Sequence, residues 1–218
     1  MGNREVISII IPCYNSELTI QDTLFDIFKQ TYQPIEIIAV NDGSTDRTLG
    51  LLKTFADKIT ILSQPNRGAP AARNLGFSRS HGSFVLFCDA DTRLRNDMVE
   101  KMHATLIHNP KSAYCYSNFK FGPHTFDLFP FDPERLRQEN YISTMSLIRR
   151  EKFIGFTEAL TRFQDWDLWK RMLDSGMTGV WHPERLFSSP MRGGISKFSL
   201  KNILILIKNR LKKFLFNG

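Results

Sequence analysis

The sequence predicts an α/β fold in which helices flank a mostly parallel, Rossmann-like central sheet. Short apolar runs alternate four times with segments of helical periodicity within residues 6–89. These runs are continuous and rich in β-branched residues, which is typical of strands buried on both faces of a parallel sheet. Parallel strands need crossover connections, and the helical segments between the runs can provide them.

The elements follow one another clearly in the first half of the chain. We expect Ser16 to cap the first helix and Ser44 or Thr45 to cap the second, since serine and threonine are favoured at N-caps. The predicted elements in chain order are a strand at 6–12, a helix at 16–31, a strand at 35–40, a helix at 44–56, a strand at 59–64, a helix at 69–80 and a strand at 84–89.

The pattern becomes weaker in the second half of the chain. Residues 113–121 alternate like a strand, and residues 145–153 indicate a strand followed by a helix. Residues 165–176 predict a helix that ends near Gly176. Residues 189–199 favour a loop.

The C-terminal residues 199–218 form a separate part of the predicted organisation, after one domain over 1–198. Apolar residues recur at helical spacing within 199–216, and five Lys or Arg residues mostly occupy the other sides. Such a basic amphipathic helix suits an anionic membrane surface. The alternative is that its apolar stripe packs on the domain itself or on a second copy of the chain, as in a homodimer.

The net charge of +7 belongs to the C-terminal end and not to the predicted fold. Eight of the 29 Lys and Arg residues lie in 185–218, which contains no Asp or Glu, so the rest of the chain is nearly neutral. This distribution argues against a nucleic-acid partner. Three cysteines without paired spacing argue against a disulfide framework. We see no signal peptide and no membrane-spanning run, and we expect a cytoplasmic protein.

Polar or turn-forming residues follow each of the four predicted strands. They are Pro12 to Asn15, Asn41 to Ser44, Pro65 to Gly68 and Asp89 to Asp91. In open α/β sheets, ligands bind beyond the carboxyl ends of the strands. We therefore expect these four strand ends to converge on one ligand site.

The two carboxylates at the fourth strand end point to a metal ion. Asp89 and Asp91 leave a buried strand one residue apart, and two bare carboxylates there would repel each other. A divalent cation removes this repulsion, and hard oxygen ligands suit Mg²⁺ or Mn²⁺. With phosphates completing its coordination, the cation would join the protein to a diphosphate. The alternative is a pair of solvated loop carboxylates.

Five ordered motifs resemble one enzyme family. IIIPCYN, VNDGSTDRT, NRGAPAARNLG, CDAD and RFQDWDLWKR are similar to the family-2 inverting glycosyltransferases of the GT-A fold, over about residues 6 to 193. The resemblance implies a nucleotide-binding half (1–110) and an acceptor-binding half (111–198). It also implies metal-dependent transfer of a sugar from a nucleotide sugar, expected to be a UDP-sugar, to a saccharide or lipid-linked acceptor. Such a reaction would serve cell-surface polysaccharide synthesis, with the enzyme peripheral on the inner face of the plasma membrane.

The resemblance assigns donor-binding roles to residues at the strand ends. Tyr14 would lie against the base, and Glu17 and Asp42 would accept hydrogen bonds from the base edge. Gly68 would allow close backbone approach, and Arg73 would contact the diphosphate. Asp91 would ligate the metal, with Asp89 contacting the ribose or assisting the metal. The full donor set is Pro12, Tyr14, Glu17, Asp42, Gly68, Arg73, Asp89 and Ala90.

The resemblance places the general base of the inverting reaction at Asp165. The family has a Glu-Asp pair there, whereas this chain has Gln164 before Asp165, so one like-charge repulsion is absent and the pKa of Asp165 should be lower than in a double carboxylate. The alternative role of Asp165 is a helix cap. Further acceptor or phosphate contacts are expected from Gln164, Trp166, Arg149 and Arg192. Gly194 stands where the family often has a histidine, and His182 is a candidate substitute.

Other function classes remain as alternatives. A sugar-phosphate nucleotidyltransferase would need a glycine-rich basic loop after the first strand, and a dehydrogenase would need GxGxxG there. Pro12 to Asn15 match neither pattern. Gln164 and Gly194 keep open a degenerate, non-catalytic protein that binds nucleotide sugar or associates with a membrane.

Overall fold

The structure, a computed structural model, describes residues 4–190. Within this range nine strands form one mixed sheet. Their order is β3-β2-β1-β4-β8-β6-β9-β5, with β7 beside β6. The strands are β1 (Ile7–Cys13), β2 (Ile35–Asp42), β3 (Thr60–Gln64), β4 (Phe84–Phe87), β5 (Arg93–Leu94), β6 (Tyr114–Phe121), β7 (His124–Phe126), β8 (Leu147–Arg149) and β9 (Gly179–Ser189).

Helices connect and cover the strands of residues 4–190. A short 3₁₀ helix, Arg150–Lys152, follows β8. The α-helices are α1 (Ile20–Phe28), α2 (Thr48–Lys53), α3 (Ala69–Ser78), α4 (Met98–His108), α5 (Pro133–Gln138) and α6 (Gln164–Asp174).

The first four strands are parallel, which confirms the predicted α/β fold with a mostly parallel sheet in this part of the chain. β1 lies between β2 and β4, with Ile9 opposite Ile37 on one side and Leu86 on the other. β8 and β6 then continue the sheet in antiparallel fashion, and β9 runs parallel to β6. The order β3-β2-β1-β4 brings the carboxyl ends of β1 and β4 together, where an open α/β sheet binds ligands.

Both faces of the sheet are buried, as the continuous apolar runs predict. Ile7, Ile9 and Ile11 of β1 belong to one core cluster, which packs on α1 and α4. Ile10 points to the opposite face and joins a second cluster that contains Trp169 of α6. The core therefore has a layer on each side of the sheet, and α6 is anchored in the second layer.

The structure corrects several predicted boundaries. The first helix begins at Ile20, and its cap position is Thr19 and not Ser16. The second helix has only six residues and begins after Arg47 rather than after Ser44 or Thr45. In both cases the preceding serine and threonine groups bond between loops instead, as described below.

Two long elements were not predicted. α4 has no strong sequence signal for its start, and Asp97 at its cap position makes no side-chain cap hydrogen bond. β9 contains Pro183, which removes a backbone donor and normally argues against a paired strand. The β6–β9 register shifts at Ser117/Asn118, opposite His182 and Arg185, so this proline lies in a β-bulge where the ladder is already interrupted.

Cys13, Cys88 and Cys115 are buried free thiols, in line with the prediction that they form no disulfide framework. No helix of residues 4–190 is long and apolar enough to cross a membrane. The predicted C-terminal helix, Arg192 and Gly194 lie outside the described residues.

Candidate functional site

The loops after β1 and β2 are joined by side-chain hydrogen bonds. Asn15, in a left-handed backbone conformation with φ of 47°, donates its N–H to Ser44 Oγ at 3.1 Å. Its Oδ1 accepts from the N–H of Thr45 at 2.9 Å. Thr48 Oγ1 accepts from the N–H of Ser16 at 2.7 Å. The predicted cap residues Ser44 and Thr45 therefore bond to Asn15 of the neighbouring loop, and Ser16 joins the loops through its backbone N–H.

Tyr14 and Glu17 lie on this pair of loops. Tyr14 is 44% exposed, so its ring is open to a ligand at the carboxyl edge of the sheet. Glu17 Oε2 accepts hydrogen bonds from the backbone N–H of Arg47 at 3.0 Å and from its guanidinium at 3.1 Å. Glu17 thus holds the β2–α2 loop, and its expected contact with a base edge stays a prediction.

Asp42 organises the loop between β3 and α3. Its Oδ1 accepts from Gln64 Nε2 at 2.7 Å and from the N–H of Arg67 at 2.9 Å, and its Oδ2 accepts from the N–H of Gly68 at 2.8 Å. Asp42 is only 2% exposed. A carboxylate bound by three donors fixes the shape of this loop, and a base contact at Asp42 stays a prediction.

Two glycines allow the loops to approach each other and a ligand. A Cβ on Gly43, whose φ is +71°, would lie 2.6 Å from the backbone nitrogen of Asn66, so the β2–α2 and β3–α3 loops touch through their backbones. Gly68 has a φ of +88° immediately before α3, and a Cβ there would contact only Pro70 at 3.7 Å. Gly68 is therefore selected by its backbone conformation.

Arg73 connects the fourth strand end to helix α6. It projects from α3, is 6% exposed, and donates to Asp89 Oδ1 at 2.8 Å and to Gln164 Oε1 at 2.9 Å. Its Nε is buried without a hydrogen-bond partner among residues 4–190. The sequence-predicted residues Asp89, Arg73 and Gln164 are therefore brought together, with Asp165 next along α6.

Asp91 lies beside Asp89, within a region of low solvent access. Burial, followed by the charge of Asp89, raises the pKa of Asp91 to about 6. Asp91 also lines a cavity of about 350 Å³ between the start of α1 and the ends of β6 and β9. Ala90 is buried, and its carbonyl accepts from Thr23 Oγ1 at 3.0 Å. This bond ties the turn formed by residues 89–91 (the DAD turn) to α1.

Asp165 occupies the first turn of α6. Burial raises the pKa of its carboxyl group, opposed by hydrogen bonds from the N–H of Trp166 and from Asn140 and by the charge of Arg73. The like-charge repulsion of a Glu-Asp pair is absent, as predicted, but burial still moves this pKa above its ordinary value. The carboxylate keeps a proton affinity suited to a general base.

Sequence reasoning missed Asn140 and Phe163. Asn140 donates to Asp165 Oδ1 at 3.0 Å, although the sequence places it 25 residues away and gives no motif for it. Phe163 has a left-handed φ of 56° and is 48% exposed immediately before α6. The only signal for Phe163 in the sequence is an aromatic residue immediately before Gln164 and Asp165.

The weaker acceptor-side expectations have mixed outcomes. Trp166 lies in the first turn of α6, and its indole donates to the carbonyl of Leu136 at 2.6 Å, so it also holds α5. Arg149 is a correction: it pairs with Phe84 at the start of β4, about 16 Å along the strand direction from Asp89. Its guanidinium donates to the carbonyls of Ser112 and Leu106 and fastens the opposite edge of the sheet.

His182 is not beside Asp91. Its Nδ1 lies 3.0 Å from Thr105 Oγ1 of α4, and its position on β9 is about 20 Å from Ser189, which lines the Asp91 cavity. Residues 4–190 contain no group of three or more His, Cys, Asp or Glu side chains that could hold a metal alone. Any cation here would need ligands from the substrate in addition to the DAD carboxylates.

Comparison with known proteins assigns the chain to a family. The family model "Glycosyl transferase family 2" matches residues 8–169. An uncharacterized glycosyltransferase of Haemophilus influenzae is 35% identical over 123 residues, which cover 55% of this chain and 49% of that protein. The chain spans about half or less of the length of the curated relatives it matches.

Solved structures share the fold at lower identity. Residues 1–349 of S. aureus TarS in complex with UDP-GlcNAc superimpose with a TM-score of 0.74 and 21% identity, covering 88% of this chain and 60% of that one. The mannosyltransferase PcManGT from Pyrobaculum calidifontis, in complex with GDP-Man and Mn²⁺, gives a TM-score of 0.71 and 21% identity, covering 88% and 59%.

Proposed function

The chain belongs to glycosyl transferase family 2, and on this premise we propose that it transfers a sugar from a nucleotide sugar to an acceptor hydroxyl with inversion at the anomeric carbon. The donor would lie over the carboxyl ends of β1 to β4, between the exposed ring of Tyr14 and the DAD turn. The acceptor would approach from the side of α6. The observation that carries this proposal is the bridge from Asp89 through Arg73 to Gln164.

The Arg73 bridge matters because a single guanidinium binds both Asp89 on the donor side and Gln164, the neighbour of the proposed base. A buried arginine with two fixed partners sets the position of the DAD turn relative to the first turn of α6. Substrate atoms between these elements would face carboxylates on one side and Asp165 on the other. Fixing reacting groups in this way supplies much of the rate enhancement of group-transfer enzymes.

Asp165 is the proposed general base. It takes the proton of the acceptor hydroxyl as the hydroxyl oxygen forms a bond to the anomeric carbon and the bond from that carbon to the diphosphate oxygen breaks. Inversion requires only this one base, and the positive charge that develops at the sugar ring resembles that in glycoside hydrolysis. Because burial raises the pKa of Asp165, its ionised form binds the transferred proton more strongly than an exposed aspartate would.

The DAD carboxylates fit a divalent cation. Burial and the charge of Asp89 disfavour the ionised form of Asp91. A nearby cation would offset this free-energy cost of ionisation. Mg²⁺ and Mn²⁺ are commonly held by one or two carboxylates together with substrate phosphates. Asp91, with Asp89 assisting, would hold the ion. When bound, it would neutralise the charge of the departing nucleoside diphosphate. The PcManGT complex with Mn²⁺ supports this choice of cofactor.

We propose UDP as the carrier nucleotide and a saccharide or lipid-linked saccharide as the acceptor, in cell-surface polysaccharide synthesis. The TarS complex with UDP-GlcNAc supports a uridine nucleotide, whereas the PcManGT complex with GDP-Man represents the competing choice. The poly-β-1,6-N-acetyl-D-glucosamine synthase of Staphylococcus aureus, 37% identical over 117 residues, supports the polysaccharide context. A panel of nucleotide sugars, tested with and without Mn²⁺, would select among these donors.

Asp165→Asn tests the base, with Asp167→Asn as the matched control. Asp167 lies on the same turn of α6 but is bound by Thr157 at 2.8 Å and Arg171 at 2.9 Å. We expect Asp165→Asn to lower kcat about 10³-fold without changing UDP binding, because a general base contributes roughly 10²–10⁴-fold. Asp167→Asn should keep most activity. Equal turnover in Asp165→Asn and wild type would contradict the proposed base, and UDP binding without any transfer by the wild type would favour a non-catalytic protein.

Peripheral association with the inner face of the plasma membrane is a further part of the proposal, supported only by the sequence of residues 199–216. Each Lys or Arg near an anionic surface contributes about 1 kcal/mol to binding. Deleting 199–218 should therefore reduce sedimentation with phosphatidylglycerol vesicles, and Lys-to-Glu changes in this range should do the same. Unchanged sedimentation would contradict the membrane role.

A further inference from the structure

The carboxylate of Asp165 is held by one oxygen only. Its Oδ1 accepts from the N–H of Trp166 at 2.8 Å and from Asn140 Nδ2 at 3.0 Å. Among residues 4–190, no residue other than Asp165 itself offers a hydrogen bond to its Oδ2. A carboxylate bound in this way has two fixed donors at one oxygen and free lone pairs at the other.

The chain segment that carries Asn140 is fastened to α6 on either side of it. The indole of Trp166 donates to the carbonyl of Leu136 at 2.6 Å, and the indole of Trp169 donates to the carbonyl of Ile142 at 2.9 Å. Both tryptophans belong to the same helix as Asp165. Asn140 is therefore held at a fixed distance from the carboxylate by two independent contacts.

The orientation of the Asn140 amide follows from its surroundings. Its Oδ1 is buried and has no hydrogen-bond partner among residues 4–190. Reversing the amide would satisfy neither end, because it would set the amide oxygen against Asp165 Oδ1, and two acceptors repel. Buried polar atoms without partners are uncommon and call for an explanation. The bond from Nδ2 to a charged carboxylate provides one, since charge-assisted hydrogen bonds are stronger than neutral ones.

We propose that Asn140 is a positioning residue for the transfer reaction, which holds Oδ1 of Asp165 so that Oδ2 is the atom that receives the acceptor proton. This inference rests on the proposed function and adds a residue to it. Asn140 itself takes no proton and contacts no reacting atom. Its effect is to fix the direction of the base and to favour its ionised form.

The charged groups around Asp165 set the expected direction of the pH effect. Arg73 faces it from α3 and favours ionisation, whereas Asp167 is bound by Thr157 and Arg171. Glu139, next to Asn140, is paired with Arg135 at 2.9 Å. Loss of the Asn140 donor removes one of the contacts that lower the pKa of Asp165. Activity, which needs the ionised base, should then be lost at a higher pH on the acid side.

The test compares Asn140→Ala with the isosteric Asn140→Asp. We expect Asn140→Ala to lower kcat about tenfold and to move the acid limb of the kcat profile up by about one pH unit, with the KM for donor unchanged. Asn140→Asp replaces the donor with a like charge and should move the limb further and lower kcat at pH 7 more than Ala does. Arg137→Ala is the control, because it removes the α5–α6 ion pair to Asp174 without touching the base.

Asn140→Ala separates a positioning role from simple packing, because it removes the donor without adding a charge beside Asp165. If Asn140 only fills space, Asn140→Ala should lower the melting temperature without moving the acid limb. That result would overturn the inference. An active wild type with unaltered variants would overturn this inference alone, whereas an inactive wild type would overturn the proposed function and this inference with it. If the Ala variant folds poorly, Asn140→Leu, which keeps a similar volume without the donor, should show the same shift of the acid limb, and an unmoved limb in a folded Leu variant would overturn the inference.

Discussion

Among residues 4–190, the two non-glycine residues with a left-handed backbone lie in contrasting regions of the molecule. Asn15, with φ of 47°, belongs to the donor region, residues 7–91, where its side chain bonds to the neighbouring loop. Phe163, with φ of 56°, belongs to the base region, residues 131–174, and its side chain is half exposed. Asparagine tolerates this conformation, whereas an aromatic residue is strained in it. The donor region follows local backbone preferences, and the base region does not.

The contacts that hold the two regions differ in the same way. In the donor region, Glu17 and Asp42 bind backbone N–H groups of adjacent loops, so short motifs build their own geometry. In the base region, Asp165 is held by Asn140 and faces Arg73, which come from distant parts of the chain. The donor loops therefore hold one another, whereas Asp165 depends on one long-range side-chain contact besides the N–H of the adjacent Trp166.

Asp42→Ala should have the largest effect, because it removes the centre of the donor region. Three partly buried donors would lose an acceptor whose residue is only 2% exposed. Leaving buried donors unpaired costs about 1–3 kcal/mol each before relaxation, so we expect a loss of about 3 kcal/mol in the free energy of unfolding. Urea denaturation measures it, with Asp57→Ala in the exposed turn before β3 as the control. Equal stability of both variants would show that this loop is not held by Asp42.

Arg73→Lys breaks the link between the two regions. Lysine keeps the charge but lacks the planar fork that reaches Asp89 and Gln164 together. We expect kcat/KM to fall about 30-fold, which corresponds to about 2 kcal/mol. Arg67→Lys is the matched control, since Arg67, in the loop before α3, pairs with the exposed Glu158 of the segment before α6 and should change kcat/KM less than threefold. A fall of similar size in both variants would remove the special role of Arg73.

Asp91→Asn removes a carboxylate, at the end of the donor region, whose charged form is disfavoured by burial and by Asp89. The pKa of Asp91 is raised to about 6, so its contribution favours folding at low pH and is lost as pH rises through that value. In the absence of metal, Asp91→Asn should therefore gain about 1 kcal/mol over the wild type at pH 7.5 and little at pH 4. Denaturation at both values measures it. Mn²⁺ should stabilise the wild type but not the variant, and a variant that still responds to Mn²⁺ would contradict the metal assignment.

Phe163→Asn has the smallest expected effect and tests the base region alone. Asparagine relieves the left-handed backbone, so the free energy of unfolding should rise by about 1 kcal/mol. Phe163→Tyr keeps both the ring and the strain and should leave stability unchanged. Thermal denaturation compares them. Destabilisation by Phe163→Asn would instead mean that the aromatic ring contributes more to stability at this position than the left-handed backbone costs.

The donor region could be read from the sequence more fully than the base region. Continuous apolar runs gave β1 to β4, and the polar residues after them converge as parallel strand ends must. Asp165 was found through its motif, but its partner Asn140 was not, because a contact across 25 residues leaves no local pattern. β9 was hidden by Pro183, which is tolerated because it is one of the β9 residues left unpaired at the bulge against β6.

Arg149 shows the opposite failure, a residue drawn into the site by analogy. The register of β8 against β4 sets Arg149 beside Phe84. Because β8 runs antiparallel to β4, the last residue of β8 lies at the start of β4 and so at the edge of the sheet opposite Asp89. Strand register is decided by partner strands, and no motif in residues 145–153 reports it.

The close approach of Gly43 to Asn66 limits how donor choice could be redesigned. The two loops that would cradle the nucleotide touch through their main chains, so lengthening either one displaces the other. Loop grafting from a relative with a different nucleotide would need to transplant both turns as a pair. Point changes at Tyr14 or Gln64 leave that backbone contact intact, which makes them the more practical route to an enzyme with altered substrate range.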